Sequence, residues 1–593
     1  MNINQRIKDL RKAMADKKIN AYVIPSNDAH QSEYVPTHWK GREWISGFTG
    51  SAGTVVVTEE KSGLWTDSRY FLQAENELSS SEMQMHKLID QFGPEHIRWV
   101  AEQLSSSDTV GIDGNVCSLS QYESMKKILD KKNIKVNVSH DLLDDVWEDR
   151  PTLPTNEIFE HDTKYSGKSR QDKLEEVREK MAEREIDHHL ITTLDDIAWV
   201  FNIRGNDVEF NPVAVAFAVV SKDRATLFID SSKIPQDLKT KLESEGIGIH
   251  DYRAITGFLN ELPESESILI DPATCSINLF RAINAQVERG KTIPRGLKAI
   301  KNPIEIEYVS KVMEKDGAAI AKTFYWLEES LKKNEKVTEA EFADKLASNR
   351  ASMPLYKGES FPAIIGYNAN GAIIHYRPEH GKSAEIKAEG ILLADSGGQY
   401  LDGTTDITRT IALGTPTKEQ KRNFTLVLKG MIALTKATFP KGTPGGALDT
   451  FARQYLWDHG LNYGHGTGHG VGFFLNVHEP PQGFAGMNSE RGRTIHEPGM
   501  LSSNEPGYYE AGNYGIRIEN LIVTKEDDEH NGFLSFDTLT LYPIDIKLIE
   551  ETIFTKSEKA WLNQYHQEVY EKISPLLNDE EKTWFELKCR PMN

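Results

Sequence analysis

Apolar residues recur at helical spacing in Arg11-Lys-Ala-Met14-Ala-Asp-Lys-Lys-Ile19 and again in Arg178-Glu-Lys-Met181-Ala-Glu-Arg-Glu-Ile186, an offset of 167 residues. Each stretch leads into a β-rich run, Ala21 to Pro25 and His189 to Thr193. The likeness continues at a changed offset. Asp28 mirrors Asp195, Trp44-Ile-Ser-Gly-Phe-Thr-Gly50 mirrors Trp199-Val-Phe-Asn-Ile-Arg-Gly205, and Leu64-Trp-Thr-Asp67 mirrors Leu227-Phe-Ile-Asp230. Helical stretches alternating with strands in both copies predict two α/β domains of one design.

Glu148-Asp-Arg-Pro151-Thr-Leu-Pro154 and the polar stretch from Glu160 to Lys173 read as the linker between the copies. A second boundary falls near Pro294 to Pro303. There Asn302-Pro303-Ile-Glu305 supplies an N-cap, a proline at the first helical position and an acidic first turn. Helical text then runs to about Arg350. It gives way to β-rich segments at Ile373 to Arg377, Gly390 to Ser396, Thr405 to Leu413, Met500 to Ser502 and Gly515 to Thr524. A helical pattern covers Thr417 to Gly460, and the tail after Glu550 reads as helix. The predicted domains are 1–155, 156–302 and 303–593.

The length, 593 residues, agrees with several cores, and 38% hydrophobic with 27% charged residues excludes wholesale disorder and fibrous architecture. A formal charge of −20, from 69 basic and 89 acidic residues, makes nucleic acid and anionic lipid poor partners. Three scattered cysteines build neither a disulfide framework nor a thiolate metal site. The longest strongly apolar run, Val213 to Val220, is too short to span a bilayer, and the first residues hold no apolar signal core. A cytoplasmic protein is expected.

The chemistry gathers in the third domain. Asp395 ends the apolar run Ile391-Leu-Leu-Ala-Asp395, and Asp406 lies 11 residues on, in Asp402-Gly-Thr-Thr-Asp406-Ile. A turn at Gly397-Gly398 would pair the flanking strands and bring the two carboxylates together. Taken alone, Asp402 or Asp406 reads as a turn cap. Gly464-His465-Gly-Thr-Gly468-His469-Gly470-Val-Gly472 is too glycine-dense for a helix, and suits a backbone packed against a ligand or metal. It fits neither a phosphate loop nor a dinucleotide fingerprint. Val477-His478-Glu479, Asn504-Glu505-Pro-Gly and Ile516-Arg517-Ile-Glu519-Asn520 follow. Taken singly, the histidines read as core residues and the glutamates as surface. Together, two Asp, two Glu and one or more His make a hard, oxygen-rich set able to balance two divalent cations. Such a pair polarises a carbonyl and lowers the pKa of a water held between them. No His-Glu-x-x-His and no Gly-x-Ser-x-Gly is present.

Asp-x10-Asp, His-Gly-x-Gly-His-Gly, Glu-Pro-Gly and Ile-Glu-Asn, in that order, resemble the metallopeptidase superfamily of methionine aminopeptidase, prolidase and aminopeptidase P. Its catalytic domain has the pita-bread fold. The three-domain length and the phrases Asp28-Ala-His-Gln-Ser-Glu33, Gly371-Ala-Ile-Ile-His375-Tyr and Gly507-Tyr-Tyr-Glu are similar to the long, cytosolic-type aminopeptidase P family. The resemblance implies two repeated α/β domains, like the creatinase/prolidase N-terminal domain, ahead of a pita-bread domain. It also implies removal of an N-terminal residue that precedes proline. Asp395, Asp406 and Glu519 would hold one metal, and Asp406, His469, Glu505 and Glu519 the other. The family suggests manganese, while the donors equally admit cobalt, zinc or iron. Glu505 would be the general base, His375 would stabilise the oxyanion and His478 would pass a proton to the leaving nitrogen. His465 would shape the proline pocket and Arg517 would support the ligands. A homodimer built on the first domain is implied, with Glu33 and Arg69 reaching a neighbouring subunit's site.

Two other readings stand beside this one. A prolidase would cleave only Xaa-Pro dipeptides, and the doubled N-terminal unit argues against it. A metal-free pita-bread peptide-binding module would lack the ligands, and all five are present.

Overall fold

The computed structural model describes residues 2–67, 69–89 and 93–592. It divides the chain into two compact units, Met1–Glu160 with Ser169–Pro294, and His161–Lys168 with Arg295–Asn593.

The first unit holds two six-stranded sheets. One runs in the order Gln84–Lys87, Ser62–Thr66, Thr54–Thr58, Ala21–Pro25, Thr109–Ile112, Lys135–Asn137. The other runs Ile247–His250, Ala225–Phe228, Phe217–Ser221, His188–Ile191, Ser267–Ile270, Gln286–Arg289. In both, the third strand pairs antiparallel with its two neighbours and the remaining neighbours are parallel. The repeat seen in the sequence is therefore a repeat of topology. Helices Ile3–Asp16 and Arg170–Ala182 hold equivalent places and bury Met14 and Met181. The copies meet through their own equivalent turns. Leu119 N–H donates to the Cys275 carbonyl and Ile277 N–H to the Cys117 carbonyl, at 2.9 and 2.8 Å.

In the second unit, helix Pro303–Lys332 starts where the sequence signals it. The Asn302 side chain accepts from the N–H groups of Ile304 and Glu305, and the Glu305 carboxylate accepts from Asn302 N–H. The helical stretch from Thr417 to Gly460 forms two helices, Lys418–Thr435 and Gly445–Trp457. Helices Lys556–Ile573 and Asp579–Lys588 build the tail. A three-stranded antiparallel sheet pairs Ile364–Tyr367, Ile391–Ser396 and Ile407–Ala412, with Asp395 opposite Thr408. A six-stranded sheet orders Phe439–Pro440, Phe533–Thr538, Asn520–Glu526, Leu501–Asn504, Gly468–Gly470 and Glu479–Phe484. A core that includes Phe324, Ile365, Leu392, Met431, Ile518 and Phe585 fills the space between these sheets and helices.

Three local expectations are corrected. The chain does not reverse at Gly397-Gly398. It continues into the hairpin Gly398–Tyr400 and Gly403–Thr404, which pairs with Tyr356–Glu359 in a separate sheet, so the reversal falls at Leu401-Asp402. Gly397 is needed for close approach, because a Cβ there would meet Thr405 O at 2.0 Å. Residues 373–377 form a turn with no strand, after the 3₁₀ turn Asn368–Ala372. The run from Gly515 to Thr524 is two strands, Tyr514–Arg517 and Asn520–Glu526, which lie in different sheets. Ile518 and Glu519 sit at the crossing, and the functional consequence lies there.

Candidate metal centre

Each acidic residue stands at the end of a strand. Asp395 lies near the end of Ile391–Ser396, Asp406 immediately precedes Ile407–Ala412, and Glu505 follows Leu501–Asn504. His469 is the middle residue of Gly468–Gly470. Asp406, His469 and Glu519, all buried, bring one ligand atom each within 4.8 Å of one another. His469 Nε2 lies 3.5 Å from Asp406 Oδ2 and 3.4 Å from Glu505 Oε1. Glu519 accepts from Thr408 Oγ1 at 2.8 Å, and Arg517 donates to Asp395 Oδ2. The other Asp395 oxygen is buried and has no hydrogen-bond donor among the described residues.

Burial dominates the electrostatics. It pushes the carboxyl groups of Asp406 and Glu519 well above the ordinary carboxylate range, and their mutual repulsion with Asp395 and Glu505 adds to the shift. Burial raises Glu505 to about 7 against the pull of Arg517. His469 is driven well below its ordinary value by burial and by His478 beside it, so its imidazole is neutral. Four carboxylates packed around one guanidinium, Arg517 on Asp395, leave a net excess of negative charge, and each uncompensated anion costs several kcal/mol, of order the ion-burial penalty. A neutral imidazole, a buried unpaired carboxylate oxygen and an oxygen-rich donor set fit divalent cations.

The glycine-rich segment has a role different from the one its composition suggests. Gly468 and Gly470 lie against neighbouring strands: Cβ atoms there would meet Ser503 O at 1.9 Å and Glu479 O at 2.3 Å. The glycines let His469 enter the sheet. The loop before it is fixed by helix Gly445–Trp457. Arg453 pairs with Asp449 at 2.7 Å and donates to the carbonyls of Tyr463 and His465 at 2.9 and 2.7 Å. Thr467 Oγ1 donates to Asp449, and Glu505 N–H donates to Thr467 O at 2.7 Å.

His465 is half-buried, with Nδ1 2.7 Å from Gly466 O and Nε2 2.8 Å from the Tyr509 hydroxyl. That hydroxyl accepts from Arg517 Nη1 at 2.8 Å, which links His465 to Asp395 through Tyr509 and Arg517. His478 is half-buried and meets the His469 ring edge-on, centroids 4.3 Å apart. His375 sits half-buried in the turn after Asn368–Ala372, a segment that packs on strand Tyr514–Arg517 through Gly371 and Gly515. Glu33 and Arg69 belong to the other unit. There Arg69 is engaged by Asp67, with Nη2 2.7 Å from Oδ2, and Glu33 is exposed.

Sequence reasoning missed Arg491, Tyr509 and the Asp449–Arg453 pair. Arg491, in the short helix Glu490–Arg493, is half-buried and forms no ion pair among the described residues, and its charge reaches both His469 and Glu505. No local pattern marks it. The Asp449–Arg453 pair does carry a signal, opposite charges four apart on a helix, but that signal is common on solvated helix faces.

Family comparisons agree with the geometry. Two stretches, 6–145 and 149–305, match the Creatinase/Prolidase N-terminal domain. Residues 307–526 match Metallopeptidase family M24, and 532–592 match the C-terminal region of peptidase M24. The chain is 42% identical to a probable Xaa-Pro aminopeptidase P of Laccaria bicolor, covering 100% of this chain and 94% of that protein. It is 40% identical to aminopeptidase P2 of Arabidopsis thaliana, covering 100% and 89%. The crystal structure of an X-prolyl aminopeptidase from Caenorhabditis elegans, described as a cytosolic enzyme with a di-nuclear active site, matches with a TM-score of 0.93 at 32% identity, covering 100% of both chains.

Proposed function

Because this chain belongs to the Xaa-Pro aminopeptidase P family of M24 metallopeptidases, we propose that Asp395, Asp406, His469, Glu505 and Glu519 form the metal centre of its catalytic domain. The chain is a hydrolase, an Xaa-Pro aminopeptidase, with creatinase-type N-terminal domains ahead of a pita-bread domain. Its substrates are peptides with proline at the second position.

The observation that carries the ligand reading is the convergence of Asp406, His469 and Glu519 within 4.8 Å in a buried site. Asp395, Asp406 and Glu519 would hold one divalent cation, and Asp406, His469, Glu505 and Glu519 the second, manganese in both positions. Bound there, the cations would polarise the scissile carbonyl and make a water acidic enough to react at neutral pH.

The chain's own residues supply the rest. The Glu505 side chain, at 19% exposure, is more open than those of Asp395 at 10% and Asp406 at 5%. It takes the proton of the attacking water. His478, beside His469, passes a proton to the proline nitrogen as the bond breaks. His375 donates to the developing oxyanion. His465, fixed by Tyr509, shapes the wall against the proline ring. The imide nitrogen carries no hydrogen for an ordinary peptidase to bind, which is why a dedicated site is needed.

We place the enzyme in the cytoplasm as a homodimer built on its first domain, with Glu33 and Arg69 approaching the neighbouring subunit's site. No helix among the described residues is long and apolar enough to cross a membrane. Offering Arg-Pro-Pro and Gly-Pro side by side tests the activity. Release of Arg from the tripeptide with little dipeptide cleavage supports the aminopeptidase reading, and cleavage of the dipeptide alone overturns it.

A further inference from the structure

Away from the acidic centre, the second unit contains a cavity of about 260 Å³ walled by helix Pro303–Lys332, the chain from Tyr542 to Lys547 and the end of helix Asp579–Lys588. Its walls are largely apolar, with Phe324, Ile544 and Trp584 buried and Leu587 left 62% exposed. The two carboxylates that line it are already engaged. Glu328 accepts from Trp584 Nε1 at 2.7 Å and pairs with Lys588, while Asp545 accepts from the N–H groups of Ala412 and Lys547 at 2.8 and 3.0 Å. The cations at its edge are not all engaged: Lys547 and Arg590 line the cavity, are exposed and form no ion pair among the described residues.

An apolar chamber whose edge carries two cations without an ion pair among the described residues, Lys547 and Arg590, against one such carboxylate, Asp545, keeps a net positive edge and is complementary to a molecule with an apolar body and one negative end. Its volume lies just below the roughly 300–1,000 Å³ usual for drug-sized ligands, which restricts the occupant to a small molecule. We propose that this cavity binds a small apolar monocarboxylate, with the carboxylate held by Lys547 and Arg590 and the tail lying on Phe324, Ile544 and Trp584. Free fatty acids and the C-terminal ends of short apolar peptides share this chemistry.

Calorimetric titration of the full-length, metal-loaded enzyme with octanoate and with N-acetylleucine tests the site and separates the two sources. Octanamide serves as the uncharged control, and a Lys547→Glu/Arg590→Glu variant removes the cations. Saturable binding of at least one acid is expected, weakened about tenfold or more in the amide and in the variant, the size of a lost charge-assisted hydrogen bond. Unchanged Arg-Pro-Pro cleavage by the variant would show that its catalytic domain is intact. Tighter binding of octanoate assigns the site to fatty acids, and tighter binding of N-acetylleucine assigns it to peptide ends. No saturable binding of either acid, or equal binding by enzyme and variant, overturns the proposal.

Discussion

Arg517 donates to one oxygen of Asp395 and leaves the other buried and without a donor among the described residues. The same guanidinium reaches Thr408 Oγ1 at 3.2 Å and the Tyr509 hydroxyl at 2.8 Å, so one side chain orients the Asp395 carboxylate, the residue opposite it in the sheet and the partner of His465. Arg517→Met should therefore lower metal affinity and kcat together, each by about 10- to 100-fold, the usual cost of losing a group that orients a ligand. Metal affinity by competition with a chelator and steady-state kinetics check this; a change in KM alone would contradict it.

The helix Gly445–Trp457 fixes the glycine-rich loop through Asp449 and Arg453. Arg453→Met strips an ion pair and two carbonyl contacts from a buried site, and should destabilise the protein by about 3 kcal/mol, the lower end for breaking a buried pair. Arg453→Lys should recover little of this, because one ammonium cannot reproduce a planar fork. Urea unfolding of both variants measures it; full recovery by lysine would exclude the geometric role.

Much of this arrangement is legible in the sequence, and the rest is hidden for identifiable reasons. The repeat and the Asn302 cap are local patterns of side-chain period and capping chemistry, and both appear in the structure. Motif spacing singles out Asp395, Asp406, His469, Glu505 and Glu519, and the structure brings ligand atoms of Asp406, His469 and Glu519 within 4.8 Å of one another. The reversal at Leu401-Asp402 was hidden because two adjacent glycines look like a turn, whereas Gly397 serves a backbone approach to Thr405. The turn at 373–377 carries strand-like Ile373-Ile374, but no neighbouring strand pairs with it. Arg491 gains its place only through tertiary packing, which no sequence period encodes.

Arg491 forms no ion pair among the described residues, and its charge reaches the centre. Arg491→Gln should raise KM for tripeptides with a free C-terminal carboxylate more than for the same peptides amidated, by about tenfold, the value of one charge-assisted contact. Equal effects on acid and amide would show that Arg491 does not meet the substrate carboxylate.

Acid should weaken the first unit through His189. Burial lowers this histidine from 6.5 to about 4. Its Nε2 accepts from Ile293 N–H at 3.1 Å, a bond the protonated ring cannot keep. A depressed histidine pKa means that stability is present above about 6.5 and is lost as the pH falls from there towards about 4. Unfolding midpoints across this range should fall less steeply in His189→Gln than in the parent protein. Equal slopes would remove His189 from the account.

The central claim is that five converging side chains hold two divalent cations. Its most direct measurement is the manganese content of the purified, manganese-loaded and desalted chain, counted against an Asp406→Ala variant treated identically. The account predicts about two ions per chain in the parent and a clear loss in the variant, because Asp406 is a ligand in both proposed sets. Fewer than about one ion per chain in the parent, or an unchanged count in the variant, would contradict it.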